Sequence, residues 1–364
     1  MTTEIQNIID RSINGERVTR EEAYALYEQA PLAELAAAAD ERRRRVVDDS
    51  DVVTWQIDRN VNITNVCISG CKFCNFHCKP HQSERHFTTT KEEYRPKIER
   101  MLELGGDQLL LQGGLHPKLG IEFYEELFGS LKGEYPAVKL HALGAPEVSH
   151  IARVSRITTM EALKRLRAAG LDSLPGAGAE ILSERVRKII SPAKPSVEEW
   201  FSVMREAHQL NLATSATMMY GHIETERERV DHLLSIRDLQ AESPSGNYGF
   251  IAFIPWIFHS AGTVLESEGV VSHFSPLEYI RIIAVSRLIL NNIRNIQASW
   301  LTVGKATAQI ALHSGANDFG SIMIEENVVS SAGADHNFDA EGIQLAISEA
   351  GFTPRLRNQL YQYR

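Results

Sequence analysis

From residue 61 to residue 318, short apolar runs alternate with longer stretches of helical spacing. This alternation restricts the fold more than any other feature of the chain. Val61-Asn62-Ile63-Thr64-Asn65, Gln108-Leu109-Leu110-Leu111-Gln112 and Lys139-Leu140-His141-Ala142-Leu143 have the length and apolar content of strands. Further strands are expected from 172, over 213–219, 248–255 and 296–300, and near 316–318. Helices are expected over 91–104, 121–131, 159–169, 184–190, 197–210, 226–239, 276–293 and 305–312. Gly105-Gly106, Gly113-Gly114 and Gly170 fall at the ends of these elements, where breakers belong. Alternating strand and helix units imply a parallel sheet with right-handed crossovers. About eight such units over about 270 residues match an α/β fold, a (β/α)8 barrel of the TIM type.

The barrel is expected over residues 53–337, behind an N-terminal helical extension at 1–52. In the extension, Thr19 followed by Arg20-Glu21-Glu22 reads as a capping-box start. A second helix over 32–45 ends in four arginines, read as a solvated helix end that complements the dipole. A tail over 338–364 reads as one helix and an exposed end. Net charge is −9, which argues against a nucleic-acid or anionic-membrane partner. No apolar run reaches the roughly 18 residues of a membrane span. Met1-Thr2-Thr3-Glu4-Ile5 shows neither the basic nor the apolar region of a secretory signal, so a cytoplasmic location is expected.

Active sites of such barrels lie at the C-terminal ends of the strands. All four cysteines of the chain follow the first of these strands: Cys67, Cys71 and Cys74 in a C-x3-C-x2-C run, then Cys78. Thiolates select zinc or iron–sulfur centres. Structural zinc sites use two well-separated ligand pairs, which one short loop fits poorly. The ferredoxin run is C-x2-C-x2-C-x3-C-P, whereas here the first gap is longer and Lys79 follows Cys78. Three thiolates on a [4Fe–4S] cluster, with one iron open to a small molecule, is the better reading. Cys78 then reads as a spare thiol.

This run, with an aromatic at Phe73, resembles the signature of the radical S-adenosylmethionine (SAM) superfamily. The resemblance implies that Cys67, Cys71 and Cys74 hold the cluster and that the open iron chelates SAM. Cleavage of SAM to methionine and a 5′-deoxyadenosyl radical is implied too, with an external low-potential reductant. Gln112, Gly113 and Gly114 would meet the SAM amino group through the backbone; the plainer alternative is a strand-end turn. Glu180 can accept hydrogen bonds from ribose hydroxyls, and Arg187 can pair with a carboxylate. The alternative is a surface pair between those two, and Arg185 competes for the role. His222 and Glu224 follow the fifth strand and can move protons, although a histidine there is also often structural. Trp256 and Trp300 read as aromatic walls or as ordinary packing. Asp318 completes the catalytic candidates.

Ala179-Glu180-Ile181-Leu182, Ala216-Thr217-Met218-Met219-Tyr220-Gly221-His222 and Gly315-Ala316-Asn317-Asp318-Phe319-Gly320 resemble the menaquinone/cofactor F420 group of radical SAM enzymes. Ile254-Pro255-Trp256, Gln297-Ala298-Ser299-Trp300 and the run 324–329 are most similar to the dehypoxanthine futalosine cyclases of that group. Leu174 and Ala177 stand where the group's synthase has Met and Gly. The resemblance implies a small nucleoside-derived substrate. Hydrogen would be abstracted from its ribose at C4′, the carbon radical would add to its benzoate ring, and a proton and an electron would leave. Aminofutalosine synthase and, from another class, an iron–sulfur electron carrier are the alternatives. Cys67→Ala, Cys71→Ala and Cys74→Ala are expected to abolish anaerobic formation of 5′-deoxyadenosine, while Cys78→Ala retains it. Loss of bound iron in Cys78→Ala would overturn the three-ligand assignment.

Overall fold

The computed structural model describes residues 2–325 and 337–364. Positions 326–329 of the run cited above lie outside the described residues. β1 (Val52–Gln56) and β2 (Asp58–Asn62) are two halves of one extended segment interrupted at Ile57. From β2 the sheet continues in chain order, all parallel. It runs through β3 (Gln108–Gln112), β4 (Lys139–Ala142), β5 (Ser173–Leu174), β6 (Ala213–Tyr220), β7 (Phe250–Ile257) and β8 (Asn295–Ile296). Single parallel bridges then bring in β9 (Asp318–Ser321) and the residues after it, Gln297 to Asp318 on one side and Arg59 to Ile324 on the other. These bridges close eight strands into the expected barrel.

Strand periodicity explains what this barrel contains. Asp58, Asn60 and Asn62 of β2 alternate with outward residues, and they pair in register with Gln108, Leu110 and Gln112 of β3. All six line the interior cavity. Val61, Leu109 and Leu111, one step out of phase, are buried in the hydrophobic core. The interior is therefore polar on this side, which an ordinary packed barrel would fill with branched apolar side chains.

The helices follow the expected positions closely, and Thr159–Ala169 and Glu184–Ile190 match end to end. Two of the described helices were not anticipated, the short Val264–Ser267 and Ala145–Ser155. Pro146 occupies its first turn, where the missing N–H costs nothing, and the Glu147 carboxylate accepts from the Gly144 amide at 3.0 Å. β8 stops short of the expected 296–300 strand because the last barrel helix already begins at Trp300; this helix, Trp300–Leu312, breaks its helical geometry at Gly304 (φ 78°). None of the described helices is long and apolar enough to cross a membrane.

The N-terminal helices Thr3–Ile13, Arg20–Gln29 and Leu32–Val46 pack on the barrel's outer helices, and the Thr19–Glu22 capping box is present. Arg281 Nη1 donates to the Tyr27 and Ala30 carbonyls at 3.0 and 2.9 Å. The arginine run is only partly solvated. Arg43 is 1% exposed, donating to Asp40 and to the Ser50 carbonyl, with its guanidinium 5.0 Å above the Phe352 ring.

The tail corrects the expectation of an exposed end. Its helix, Ala340–Glu349, is followed by β10 (Thr353–Leu356), which pairs in parallel with β1 from Val52↔Thr353 to Trp55↔Leu356. Arg357 and Gln359 are consequently buried. Arg357 Nε and Nη2 donate to the two Asp318 oxygens at 2.6 and 3.0 Å, and Nη1 donates to Gln56 Oε1 at 2.7 Å. Asp318 also accepts from Thr54 Oγ1 at 2.6 Å and the Gly320 amide at 2.9 Å. Its carboxylate is thus engaged by Thr54, Gly320 and Arg357, and Asp318, expected as a catalytic residue, is not among the residues that line the cavity. Arg357→Ala leaves that carboxylate buried without a cation. It is expected to destabilise the fold by about 3–5 kcal/mol, read from the midpoint of urea unfolding.

Candidate active site

A cavity of about 400 Å³ occupies the barrel interior, with the cysteine loop at one end and the tail at the other. The loop is held in a defined shape by its backbone. Cys67 N donates to Cys78 O at 2.9 Å, and Cys78 N donates to Asn65 O at 2.7 Å. Gly70 supplies the positive φ of 57° that turns the chain between the first two cysteines. Cys67, Cys71 and Cys74 all line the cavity. The amides of Ser69 and Leu115 point at Cys67 Sγ from 3.4 and 3.3 Å, and Ser69 Oγ lies 2.9 and 3.3 Å from Cys67 Sγ and Cys71 Sγ. Burial pushes the Cys71 thiol up to about 11, partly offset by the Lys194 ammonium.

Cys78 is separated from this group. It is fully buried away from the cavity, with Sγ 3.4 Å from the Gln82 carbonyl. Among the described residues, no three His, Cys, Asp or Glu side chains converge on one point as a single-ion site requires. A [4Fe–4S] cluster takes each thiolate on a different iron, so three separate cavity-facing thiols with N–H groups aimed at sulfur fit it.

The glycine pair after β3 seats this loop. A Cβ on Gly114 would lie 2.2 Å from the Val66 carbonyl oxygen, and one on Gly113 would lie 3.0 Å from the Thr64 backbone. The Gly114 amide donates to Thr64 O at 2.7 Å. Gln112, Gly113 and Gly114 also line the cavity, as do Phe73 and Glu180. Glu180 adopts a left-handed backbone (φ 43°) just after Gly178 (φ 81°), a strained arrangement for a residue with a side chain. Its Oε1 lies 2.5 Å from Lys194 Nζ, which sits 5.2 Å from the centre of the Phe73 ring. Burial works against ionised Glu180, but the Lys194 ammonium outweighs it and holds the carboxyl below its usual range. Lys194 was not anticipated. Its only sequence signal is a lysine between Pro192 and Pro195 in a loop joining two helices.

Three expected site residues lie elsewhere. Arg187 does not line the cavity. Its donors are consumed by the carbonyls of Pro195 (3.0 and 2.5 Å), Gly178 (2.7 Å) and Ala179 (3.1 Å), so it clamps the Glu180 loop instead of facing a ligand. Its competitor Arg185 pairs with Glu228 at 2.5 Å on the surface. His222 and Glu224 are also outside the cavity, with side chains shielded from solvent. His222 Nδ1 lies 2.9 Å from Glu224 Oε2, and Glu224 accepts from the Gly221 and His222 amides and from Arg229. Burial would raise the Glu224 carboxyl, yet the His222 and Arg229 contacts bring it down to about 2. Arg229 continues to Tyr27 and Glu278, so this network ties the β6 end to the N-terminal helices. Trp256 and Trp300 do line the cavity, as expected of aromatic walls.

Residues 61–236 match the radical SAM superfamily, and residues 247–364 match the CofH/MqnC C-terminal region. The chain is 45% identical to the cyclic dehypoxanthine futalosine synthase of Streptomyces coelicolor, over 99% of this chain and 89% of that protein. It is 38% identical to the synthase of the same name from Halalkalibacterium halodurans, over 98% and 94%. It is 39% identical to a 5-amino-6-(D-ribitylamino)uracil–L-tyrosine 4-hydroxyphenyl transferase of Methanosarcina acetivorans, over 98% and 93%. Among solved structures, the hydrogenase maturase HydG superposes with a TM-score of 0.76 at 16% identity, covering 99% of this chain and 77% of that one. Methylornithine synthase (PylB) gives 0.72 at 19%, covering 95% and 97%. Those two likenesses concern the fold. With three thiols facing a barrel cavity and near-full-length likeness to its members, the chain belongs to the radical SAM superfamily, in the branch that carries the CofH/MqnC C-terminal region.

Proposed function

We propose that this chain is a radical SAM cyclase that converts dehypoxanthine futalosine to its cyclic product in menaquinone biosynthesis. The observation that carries this reading is 45% identity to the Streptomyces coelicolor synthase across 99% of the chain. When bound, the cluster and SAM supply a 5′-deoxyadenosyl radical able to abstract hydrogen from carbon. Cys67, Cys71 and Cys74 hold the cluster. Phe73, Gln112, Gly113, Gly114 and Glu180 border SAM, with Glu180 accepting from its ribose hydroxyls. Lys194 takes the carboxylate, the role expected of Arg187, and Arg187 positions the Glu180 loop. Trp256 and Trp300 offer flat apolar faces to an aromatic ring.

The substrate's departing proton needs an acceptor within hydrogen-bond reach. Asp58, His77, His141 and Glu147 line the cavity, whereas His222, Glu224 and Asp318 do not. Among these, burial and the nearby Arg357 hold the His141 imidazole down to about 3, which makes it a weak acceptor, whereas burial raises the Asp58 and Glu147 carboxyls and so makes them stronger bases. An external low-potential reductant and a cytoplasmic location complete the reading.

A second reading rests on the 39% identity to the hydroxyphenyl transferase. Anaerobically reconstituted protein with SAM and a reductant separates them. The cyclic product is expected from dehypoxanthine futalosine, together with 5′-deoxyadenosine. Product formation only from 5-amino-6-(D-ribitylamino)uracil and tyrosine would overturn the cyclase. Lys194→Ala is expected to weaken SAM binding about 10- to 100-fold with iron content unchanged, the worth of a charged hydrogen bond. Unchanged affinity in a calorimetric titration would move the carboxylate contact away from Lys194.

A further inference from the structure

The cluster needs an electron from outside the chain, and the cysteine loop has two flanks by which it can arrive. The Cys71–Cys74 flank meets the short helix Val264–Ser267. Leu265 N donates to Lys72 O at 3.1 Å, and Asn75 Nδ2 donates to Ala261 O at 2.8 Å. Lys72 Nζ is matched there by Glu268 at 2.7 Å, and Glu266 adds a second carboxylate. This flank carries no excess of positive charge.

The Cys67 flank differs. Cys67 N donates to Cys78 O at 2.9 Å, which sets Lys79 one residue from that contact. Ile68 N donates to Leu115 O at 3.1 Å, and the Leu115 amide points at Cys67 Sγ from 3.3 Å. His116-Pro117-Lys118 follow directly. A third segment joins them: His86 Nε2 donates to Lys79 O at 3.0 Å, and Asn65 Nδ2 donates to Arg85 O at 2.8 Å. Burial and then the nearby His86 and Lys118 hold His116 below its usual range, so the three segments meet at one surface.

Lys79, Arg85 and Lys118 are exposed, and their side chains form no ion pair among the described residues. The same segments present Ile68 (45% exposed) and Phe87 (40%) to solvent. Glu84 is the one acid between Cys67 and Thr90. The chain as a whole has a net charge of −9, so a cationic face beside Cys67 stands out against an anionic body. Such asymmetry repels an acidic molecule everywhere except where it must dock. A polyphosphate would use the three cations but not the two apolar side chains.

We propose that Lys79, Arg85 and Lys118, grouped about Ile68 and Phe87, form the docking face for a small acidic protein that carries a one-electron centre. This rests on the external reductant of the function proposed above, and on neither substrate reading. One electron passes from the reduced carrier to the oxidised cluster, the carrier leaves oxidised by one electron, and no covalent bond forms or breaks. The hydrogen bond from Cys67 N to Cys78 O joins the docked surface to a cluster-holding residue by a short path. The face is small, as redox encounters burying less than about 1,200 Å² are, so charge governs the rate of encounter more than the affinity.

A purified bacterial flavodoxin, acidic and carrying one flavin, serves as the probe carrier. Its fully reduced form is mixed anaerobically with the reconstituted protein in a stopped-flow instrument, and bleaching of the cluster's visible absorption is followed. Calorimetry at low salt reads the binding itself. Photoreduced 5-deazariboflavin, small and uncharged, is the control reductant. The wild-type rate with flavodoxin is expected to fall as salt is raised. The triple variant Lys79→Glu, Arg85→Glu, Lys118→Glu is expected to be reduced by flavodoxin at least about 10-fold more slowly and to bind it more weakly, with a rate towards deazariboflavin within about 2-fold of wild type. Lys164→Glu, Arg167→Glu, Arg355→Glu makes the same change in net charge with exposed cations outside the cysteine loop, and is expected to behave as wild type. Salt-insensitive wild-type reduction overturns the face without need of any variant. Equal slowing in both triple variants overturns it too, since net charge alone would then set the rate. Tighter binding of a short single-stranded RNA than of flavodoxin, lost in the first variant, means that the face reads phosphate and likewise overturns it. Reduction by deazariboflavin but not by flavodoxin overturns the face and leaves the external reductant standing, whereas reduction by neither overturns both.

Discussion

The buried pair between Arg357 and Asp318 holds together what the sheet alone barely closes. β8 contributes two paired residues, and the ladder around β9 includes single bridges. At this weak point, Asp318 gathers Thr54 from β1, its own strand's Gly320 amide and the guanidinium that follows β10. Such a pair adds little net stability over a well-packed apolar substitute, but losing one partner is costly. Its value is geometric, since Arg357 reaches Gln56 as well and so sets the floor of the cavity.

A cavity with a polar floor and a thiol-lined rim places constraints on the backbone around it. The cysteine loop can lie against β3 only because Gly114 has no side chain. The Glu180 loop sits in a left-handed conformation that Arg187 secures with four hydrogen bonds to carbonyls. In both places a residue that resembles a ligand contact in sequence is committed to shaping the chain that presents the contact. The polar network at the β6 end does the same for the N-terminal helices, which explains why His222 and Glu224 are packed away from the cavity.

The alternation of elements was legible because each barrel unit repeats a local pattern, and the cysteine spacing was legible because its chemistry is confined to one loop. What could not be read depended on partners far away in the chain. Arg187, His222 and Glu224 come after strands and Asp318 lies at the last one, but such a position does not say where a side chain points. The direction of each is set by distant groups: Pro195 for Arg187, Arg229 for Glu224, Arg357 for Asp318. β10 escaped notice because four residues containing Pro354 and flanked by charge carry too little periodicity. β1 follows an acidic stretch and precedes the first run that the alternation marks as a strand. Lys194 sits in a loop between helices, outside any strand end where a barrel residue would be sought.

The pairing of Val52 with Thr353 joins segments from nearly opposite ends of the chain. Domains fold as their parts emerge during synthesis, N-terminal portions first. Most of this barrel can assemble strand by strand in that order. β1, however, stays an open edge until residues beyond 352 leave the ribosome, and Asp318 waits for its cation over the same interval. The side of the barrel opposite the cysteines is therefore the last to receive all its partners as the chain is made, since Asp318 and Gln56 both bond to Arg357.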